Sequence, residues 1–388
     1  MSQAFIPENP HLRQSKLRQI FEQAPADSLN LGIGQPGEGT PEFIRKAAQK
    51  VAETKSLGYT LNAGLLSLRE KLAVELNGQQ IHPDQICVTA GVQQALFSLF
   101  FTLAHENTTV LLPDPGFLTY PALAKINKWN HATYKLSAEH NFRFKADAVI
   151  EAITPETKAV LLAHPSNPTG SGADVEEYKK LIEFLNNRDG DPVWLISDEV
   201  YYGMMYEEED HSLLSFFNDY PNMVVLRGAS KSHHMTGWRL AWMYFPLWLK
   251  KNLIASHQYV TTCASAVSQH TFEAIRGTEE EKKWFAQQKS LYHNKSKMVH
   301  EYLSPHRKLY GGEGAFYWLV KLDEDRDLNS RFSSDEEWVW HLLKEHKIIT
   351  VPGSAFGEQT SGYVRISYGP KMDELEAGLK RLAGVLGS

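Results

Sequence analysis

Lys231 and Arg239 stand eight residues apart in "SKSHHMTGWR", and upstream Asp198 and Tyr201 stand three apart in "SDEVY". An amine can form an imine with an aldehyde and afterwards carry a proton; a carboxylate can hold a protonated ring nitrogen; a guanidinium fork fits phosphate or carboxylate. Asn167 in "HPSNPTG" adds an amide, Phe117 in "PDPGFLTY" a flat ring, and Arg365 in "YVRISYG" a second guanidinium. Ala90-Gly91-Val92-Gln93 is a glycine turn into a helical pattern, whose free N–H groups suit an anion. Singly, each has an ordinary explanation: a lysine is usually a solvated charge, Asn-Pro a turn, a strand-end aspartate a helix cap.

The elements that must carry these residues change that balance. "ICVTA", "TVLLPDP", "AVLLAHP", "VWLISDE", "MVVLRGA" and "RLAWMYF" are continuous apolar runs, the pattern of strands buried on both faces of a mostly parallel sheet. Helices are expected between them, at 92–104 and at 174–187. The second would start at Asp174, with Glu177 in capping-box position and Val175, Tyr178, Leu181, Ile182 and Leu185 buried. The expectation is an α/β unit with helices on both faces. Ligands in such sheets bind beyond the carboxyl ends of the strands, where all these groups fall. An anion cradle, an arginine, a flat ring, an acid, a phenol and an amine at one edge match the atoms of pyridoxal phosphate.

From about residue 280 the pattern changes to a long charged helix, the strand-like runs "GAFYWLVKL" and "GYVRISYG", and a final amphipathic helix from Lys371 to Leu386. A chain of 388 residues exceeds the size of a single core. Two units are therefore expected: a large one over 46–280, and a smaller α+β one from 1–45 and 281–388.

"GIGQPG" at 32–37 has dinucleotide-fingerprint spacing, but Pro36 offers no N–H and pushes Gln35 toward extended backbone. The next helix is expected only at Thr40-Pro41, with Thr40 as cap and Phe43, Ile44, Ala47, Ala48 and Val51 as its apolar stripe. A nicotinamide is not expected.

With 42% hydrophobic and 22% charged residues the composition is that of an ordinary globular protein, and a net charge of −6 argues against nucleic acid or anionic membrane as partners. No run of eighteen apolar residues and no hydrophobic signal core occur, which leads to the expectation of a cytoplasmic protein. Cys87 and Cys263 are read as two buried, reduced thiols, and the sixteen histidines show no metal-ligand spacing.

"NPTG", "SDEVY" and "SK" followed by "MTGWR", in that order, resemble the class I/II pyridoxal-phosphate aminotransferases of fold type I, aspartate aminotransferase-like. The resemblance runs from "SKLRQIFEQA" to "YVRISYG". It implies transfer of an amino group from an L-amino acid to 2-oxoglutarate or pyruvate in two half-reactions. Lys231 would be the Schiff-base lysine, Asp198 the partner of the ring nitrogen, Tyr201 and Asn167 partners of the ring's 3′ oxygen, and Phe117 the ring over the cofactor. Gly91, Val92, Gln93 and Arg239 would take the phosphate. Arg365 would clamp the substrate carboxylate, with the Gly34 backbone close beside it. Tyr59 in "GYTLNAG" would reach the phosphate of a neighbouring subunit, which implies a homodimer with shared sites.

Two departures from the family pattern stand out: Gly228 replaces a hydroxyl residue three positions before the lysine, and Ala90 and Val92 replace cradle hydroxyls, which shifts weight to backbone amides and Ser230. A β-lyase acting on cysteine conjugates or cystathionine is the alternative chemistry. A cofactor-sensing regulator would need a DNA-binding domain ahead of a segment that starts by about residue 12. The donor stays open, and Lys125, Lys128, His233, His234 or a partner's arginine are the candidates for a distal-carboxylate cation.

Overall fold

The computed structural model describes residues 16–74, 79–105, 107–206, 211–323 and 332–387. Residues 1–15, the beginning of the expected smaller unit, lie outside the described residues. Seven strands, β1 (Ile86–Thr89), β2 (Thr109–Asp114), β3 (Asn130–Lys135), β4 (Thr157–Ala163), β5 (Trp194–Asp198), β6 (Met223–Gly228) and β7 (Ala241–Tyr244), form one sheet in the order β1-β7-β6-β5-β4-β2-β3. All neighbours are parallel except the two pairs made by β7.

Alternate side chains enter two separate cores. Val88, Leu111, Val160, Leu195 and Val225 face one layer, whereas Cys87, Val110, Leu161, Ile196 and Val224 face the other. Helices cover both layers, which is why the runs are apolar without a break. The strand absent from the sequence reading is β3, "NHATYK". It lies at the sheet edge, and only Tyr134 in it is buried, so it has no apolar run to betray it.

Helix α1 (Glu42–Thr54) starts one residue later than expected. Pro41 is its cap residue, because the Thr40 hydroxyl is used elsewhere: it donates to the His234 carbonyl at 3.0 Å and accepts from Trp238 Nε1 at 2.9 Å. Residues 32–37 are loop, with no strand-to-helix turn. Helix α2 (Val92–Leu103) follows β1, with Gly91 as its cap residue at φ +90°.

Helix α3 (Val175–Asn187) has Asp174 at its N-terminal cap position as expected, yet the Asp174 side chain bonds no helix amide and no capping box forms. Asp174 accepts from Arg143 Nη2 at 2.8 Å, and Glu177 accepts from the Ala146 amide at 2.8 Å and Lys145 Nζ at 3.0 Å. The 143–146 segment supplies stronger donors than the helix end. Val175 is half-buried, and the other four residues of the stripe are buried.

Beyond the sheet come α4 (Glu279–Leu303), then β8 (Leu309–Gly311), β9 (Tyr317–Lys321), β10 (Val351–Pro352) and β11 (Tyr363–Ser367) in an antiparallel sheet ordered β10-β11-β9-β8, and finally α5 (Met372–Gly387). Leu31, Tyr292, Val320, Leu342, Ile366 and Leu379 belong to the third core. Leu29–Asn30 pairs in parallel with Ile348–Ile349, which ties the N-terminal segment to this part of the chain.

Cys87 is buried, but Cys263 is only half-buried, a correction to the expected pair of buried thiols; both are free. Among the described residues, no helix is long and apolar enough to cross a membrane, and no group of three or more His, Cys, Asp or Glu is placed to hold a metal ion.

Candidate active site

A cavity of about 270 Å³ opens at the carboxyl edge of the large sheet, between it and the β9–β11 strands. Lys231 stands on a one-turn helix, Ala229–Ser232, directly after β6. Its Nζ donates to the Gly34 carbonyl at 2.5 Å. Burial lowers its pKa to about 8, helped by the charges of Arg365 and then Arg239. An amine so placed is neutral far more often at neutral pH than a surface lysine.

Asp198 is the last residue of β5. Its Oδ2 accepts from Tyr120 Oη at 2.8 Å and its Oδ1 from the Val200 amide at 3.1 Å. Burial nonetheless pushes the carboxyl up to about 6, with the neighbouring Glu199 charge adding to the rise. A buried acid of this kind lacks a cation, and a protonated ring nitrogen would supply one. Glu199 itself points to a separate ion pair, with Arg227 Nε at 3.0 Å.

Arg365 on β11 is 2% exposed. Nη1 donates to Asn167 Oδ1 at 2.7 Å and Nη2 to the Gly32 carbonyl, and the guanidinium lies over the rings of Tyr317 at 4.5 Å and Phe356 at 4.8 Å. Its Nε has no partner, and no carboxylate pairs with it among the described residues. A buried cation without a counter-charge is costly unless an anion completes the site. The site is therefore built for an anionic ligand.

Tyr201 and Tyr317 meet hydroxyl to hydroxyl at 2.6 Å, and burial raises the pKa of both. The absence of a side chain at position 34 is what admits this pair: a Cβ on Gly34 would lie 2.3 Å from Tyr317 Oη. The opening glycine stretch is stitched to β11, since Ser367 Oγ donates to the Ile33 carbonyl at 2.7 Å.

At the other end of the cavity Gly91 lies under Arg239. A Cβ there would stand 2.2 Å from Arg239 Nη2. The helix-end amides and the guanidinium thus converge on one spot, as a phosphate requires. The two departures from the family pattern turn out to be neighbours: a Cβ at Gly228 would meet Ala241 Cβ at 3.1 Å and Val92 Cγ2 at 3.3 Å. The Val92 methyl fills the space beside Gly228. Ser230 and Thr236 bring hydroxyls to the cavity lining.

Ten of the twelve expected residues line this cavity; Gly91 lies just beneath it, and Tyr59 is 91% exposed and does not line it. Lys125, Lys128, His233 and His234 do not line it either. His233 is held by Glu281 Oε1 at 2.9 Å, His234 packs edge-on against Trp284, and the two lysines are exposed. Tyr120 and Tyr317 were not singled out in the sequence, although Tyr120 follows Phe117 by three residues and Tyr317 lies in the aromatic run "GAFYWLV". A wider groove of about 410 Å³ between Arg143, Tyr206 and Trp318 holds none of the expected residues.

Lys231, Asp198, Arg239 and the amides at Gly91 fit pyridoxal phosphate in charge and in chemistry. Comparison with known proteins identifies the family. The family model for aminotransferase class I and II matches residues 26–382. An aspartate aminotransferase of Pyrococcus horikoshii is 31% identical over 98% of this chain and 97% of its own. Aromatic-amino-acid aminotransferase 2 of Thermococcus litoralis is 30% identical over 96% and 95%. The solved structure of Thermus thermophilus aspartate aminotransferase with maleate superposes with a TM-score of 0.88 at 26% identity, covering 98% of this chain and all of that one.

Proposed function

Since the chain belongs to the class I and II aminotransferases, pyridoxal-phosphate enzymes of fold type I, we propose that its cavity passes an amino group from an L-amino acid to 2-oxoglutarate or pyruvate, both substrates using one site in turn. The observation that carries this reading is Arg365, a buried guanidinium with no carboxylate partner among the described residues, facing the same cavity as Lys231. A substrate α-carboxylate completes it. The relatives are named for amino transfer, and nothing in them favours the β-lyase chemistry.

In this reading Asp198 faces the ring nitrogen of the cofactor, Asn167 and Tyr201 its 3′ oxygen, and Phe117 its face. Gly91, Val92, Gln93 and Arg239 hold the phosphate. When bound, pyridoxal phosphate supplies an aldehyde for amines and an electron-withdrawing ring for the substrate α-carbon. Lys231 then carries the proton: its lowered pKa lets Nζ take one up and give it back near neutral pH, and the Gly34 carbonyl holds the ammonium. The hydrogen-bonded Tyr201–Tyr317 pair forms part of the wall beside it.

Among the described residues the cavity wall contains no cation beyond Lys231, Arg239 and Arg365, whereas Leu96, Phe117, Tyr120, Val200 and Tyr317 offer rings and methyls. This supports an apolar or aromatic donor. A dicarboxylate, 2-oxoglutarate as acceptor included, would need a cation from a second subunit. Tyr59, with Leu61 at 64% and Tyr259 at 86% exposure, supports the homodimer in which Tyr59 reaches the partner's cofactor phosphate. Activity that survives dilution to monomer would sink that part.

The test is the visible absorbance of the purified protein with pyridoxal phosphate, wild type beside Lys231→Ala, titrated with phenylalanine and with aspartate. The wild type should show a band near the visible edge that a donor bleaches, phenylalanine faster than aspartate, and the variant should not. If the wild type holds no cofactor, the assignment of the whole cavity falls.

A further inference from the structure

Helix α4 presents Glu281, Trp284, Gln288, Tyr292 and Lys295 at intervals of three and four, which places them on one face. This face meets the lysine segment almost residue by residue. Glu281 holds His233 at 2.9 Å, Trp284 Nε1 donates to the Ser232 carbonyl at 3.1 Å, and Gln288 Nε2 donates to the Lys231 carbonyl at 3.1 Å. Tyr292 Oη lies 3.4 Å from His234 Nε2.

One turn further on, the same face grips the loop on the other side of the cavity. Lys295, whose side chain is fully buried, pairs with Glu38 and donates to the Pro370 carbonyl at 2.5 Å, and Tyr292 Oη donates to Glu38 Oε2 at 3.3 Å. Glu38 ends the loop whose Gly34 carbonyl accepts from Lys231 Nζ. The backbone that carries the amine and the loop that carries its acceptor are thus mounted on a single helix face.

We propose that Glu38 and Lys295 are positioning residues for Lys231: their ion pair fixes the 34–38 loop to the helix face that holds the Lys231 backbone, and so sets where the free amine rests. The loop has other tethers, Ile33 to Ser367 and Gly37 to Gly369, but these bind it to the strand segment. Only Glu38 and its partners bind it to α4 among the contacts described. A rigid helix converts that double grip into a fixed distance, and an error of about 1 Å at a reacting amine can cost up to about a hundredfold in rate.

Removing Glu38 leaves the buried Lys295 ammonium without its carboxylate and costs stability for that reason alone. The informative variant is therefore the double Glu38→Gln/Lys295→Met, with Glu38→Gln alone as the milder companion, since its amide still accepts from Lys295. In cofactor-free protein, the rate at which Lys231 is carbamylated by cyanate, followed by peptide mass spectrometry, should rise about threefold in the double variant, the effect of half a pKa unit. In the loaded enzyme kcat should fall about tenfold or more while KM stays within about twofold. Glu38→Gln should fall between, and it serves alone if the double variant does not fold.

A double variant, or Glu38→Gln standing in for it, that melts lower but keeps both wild-type rates overturns the proposal and leaves the pair a purely structural one. The inference rests on Lys231 being the catalytic lysine. A wild type that transfers no amino group removes that assignment, and an active wild type with unaffected variants removes only the positioning.

Discussion

Tyr120 donates its phenolic proton to Asp198 across 2.8 Å, and both are buried. This hydrogen bond opposes the burial that pushes the acid up to about 6. Tyr120→Phe should let the carboxyl rise further, so that more of it is protonated at neutral pH and less able to hold a cationic ring nitrogen. The cofactor Kd is expected to rise about tenfold, the size of a lost charge-assisted hydrogen bond, in an absorbance titration at pH 7.

Asp198 also gives the cofactor-free fold a pH dependence with a definite sign. Its carboxyl pKa is raised from 3.8 to about 6, so the folded chain binds this proton more tightly than the unfolded one. The stabilisation is full below about pH 4 and is lost as pH rises through 6. Thermal or urea unfolding of wild type beside Asp198→Asn should show the wild type losing about 3 kcal/mol relative to the variant across that window. Parallel curves would mean that the carboxyl titrates normally.

Legibility in the sequence followed the strands. Residues standing just beyond an apolar run, such as Asn167, Asp198 and Lys231, could be placed at one edge because the runs themselves announce a doubly covered sheet. Tyr120 lies on the same stretch as Phe117, but its partner is 78 residues away, and no local pattern encodes a contact of that span. Tyr317 is one of several rings in "GAFYWLV"; only the register of β9 against β11 turns it toward Arg365. Thr40 and Asp174 show the converse failure: both have the right local chemistry for capping, and both spend it on partners from distant segments.

Gly34 is a test of packing rather than of backbone freedom. Gly34→Ala would drive a methyl into Tyr317 Oη, at 2.3 Å, and should displace the Tyr201–Tyr317 pair with a loss of activity of about tenfold or more. Adding Tyr317→Phe removes the obstructing oxygen, so the double variant should be more active than Gly34→Ala alone. Additive losses in the kinetic cycle would show that the two positions do not interfere.

Lys231 predicts the pH dependence of cofactor loading. With its pKa lowered to about 8 by burial and by Arg365 and Arg239, the ammonium dominates below that pH and only the neutral amine attacks an aldehyde. The rate at which cofactor-free protein captures pyridoxal phosphate should climb about tenfold per pH unit below 8 and level off above it. A rise continuing to pH 10 in stopped-flow absorbance would mean that the amine is not desolvated.

Strand β7 runs against its neighbours, so it enters the sheet at the edge where the others leave it. The chain therefore goes out from β6 and comes back into β7 on the same side, and the Ala229 amide bonded to the Leu240 carbonyl at 3.1 Å closes that excursion into a ring. Lys231 and Arg239 sit at two points of the ring, so the gap between the amine and the guanidinium is a matter of loop circumference rather than of side-chain choice. The connection works as a gauge for molecular length, admitting an aldehyde and an anion only when they are the right distance apart. Adding or deleting a single residue there would recalibrate the gauge while leaving every functional group in place.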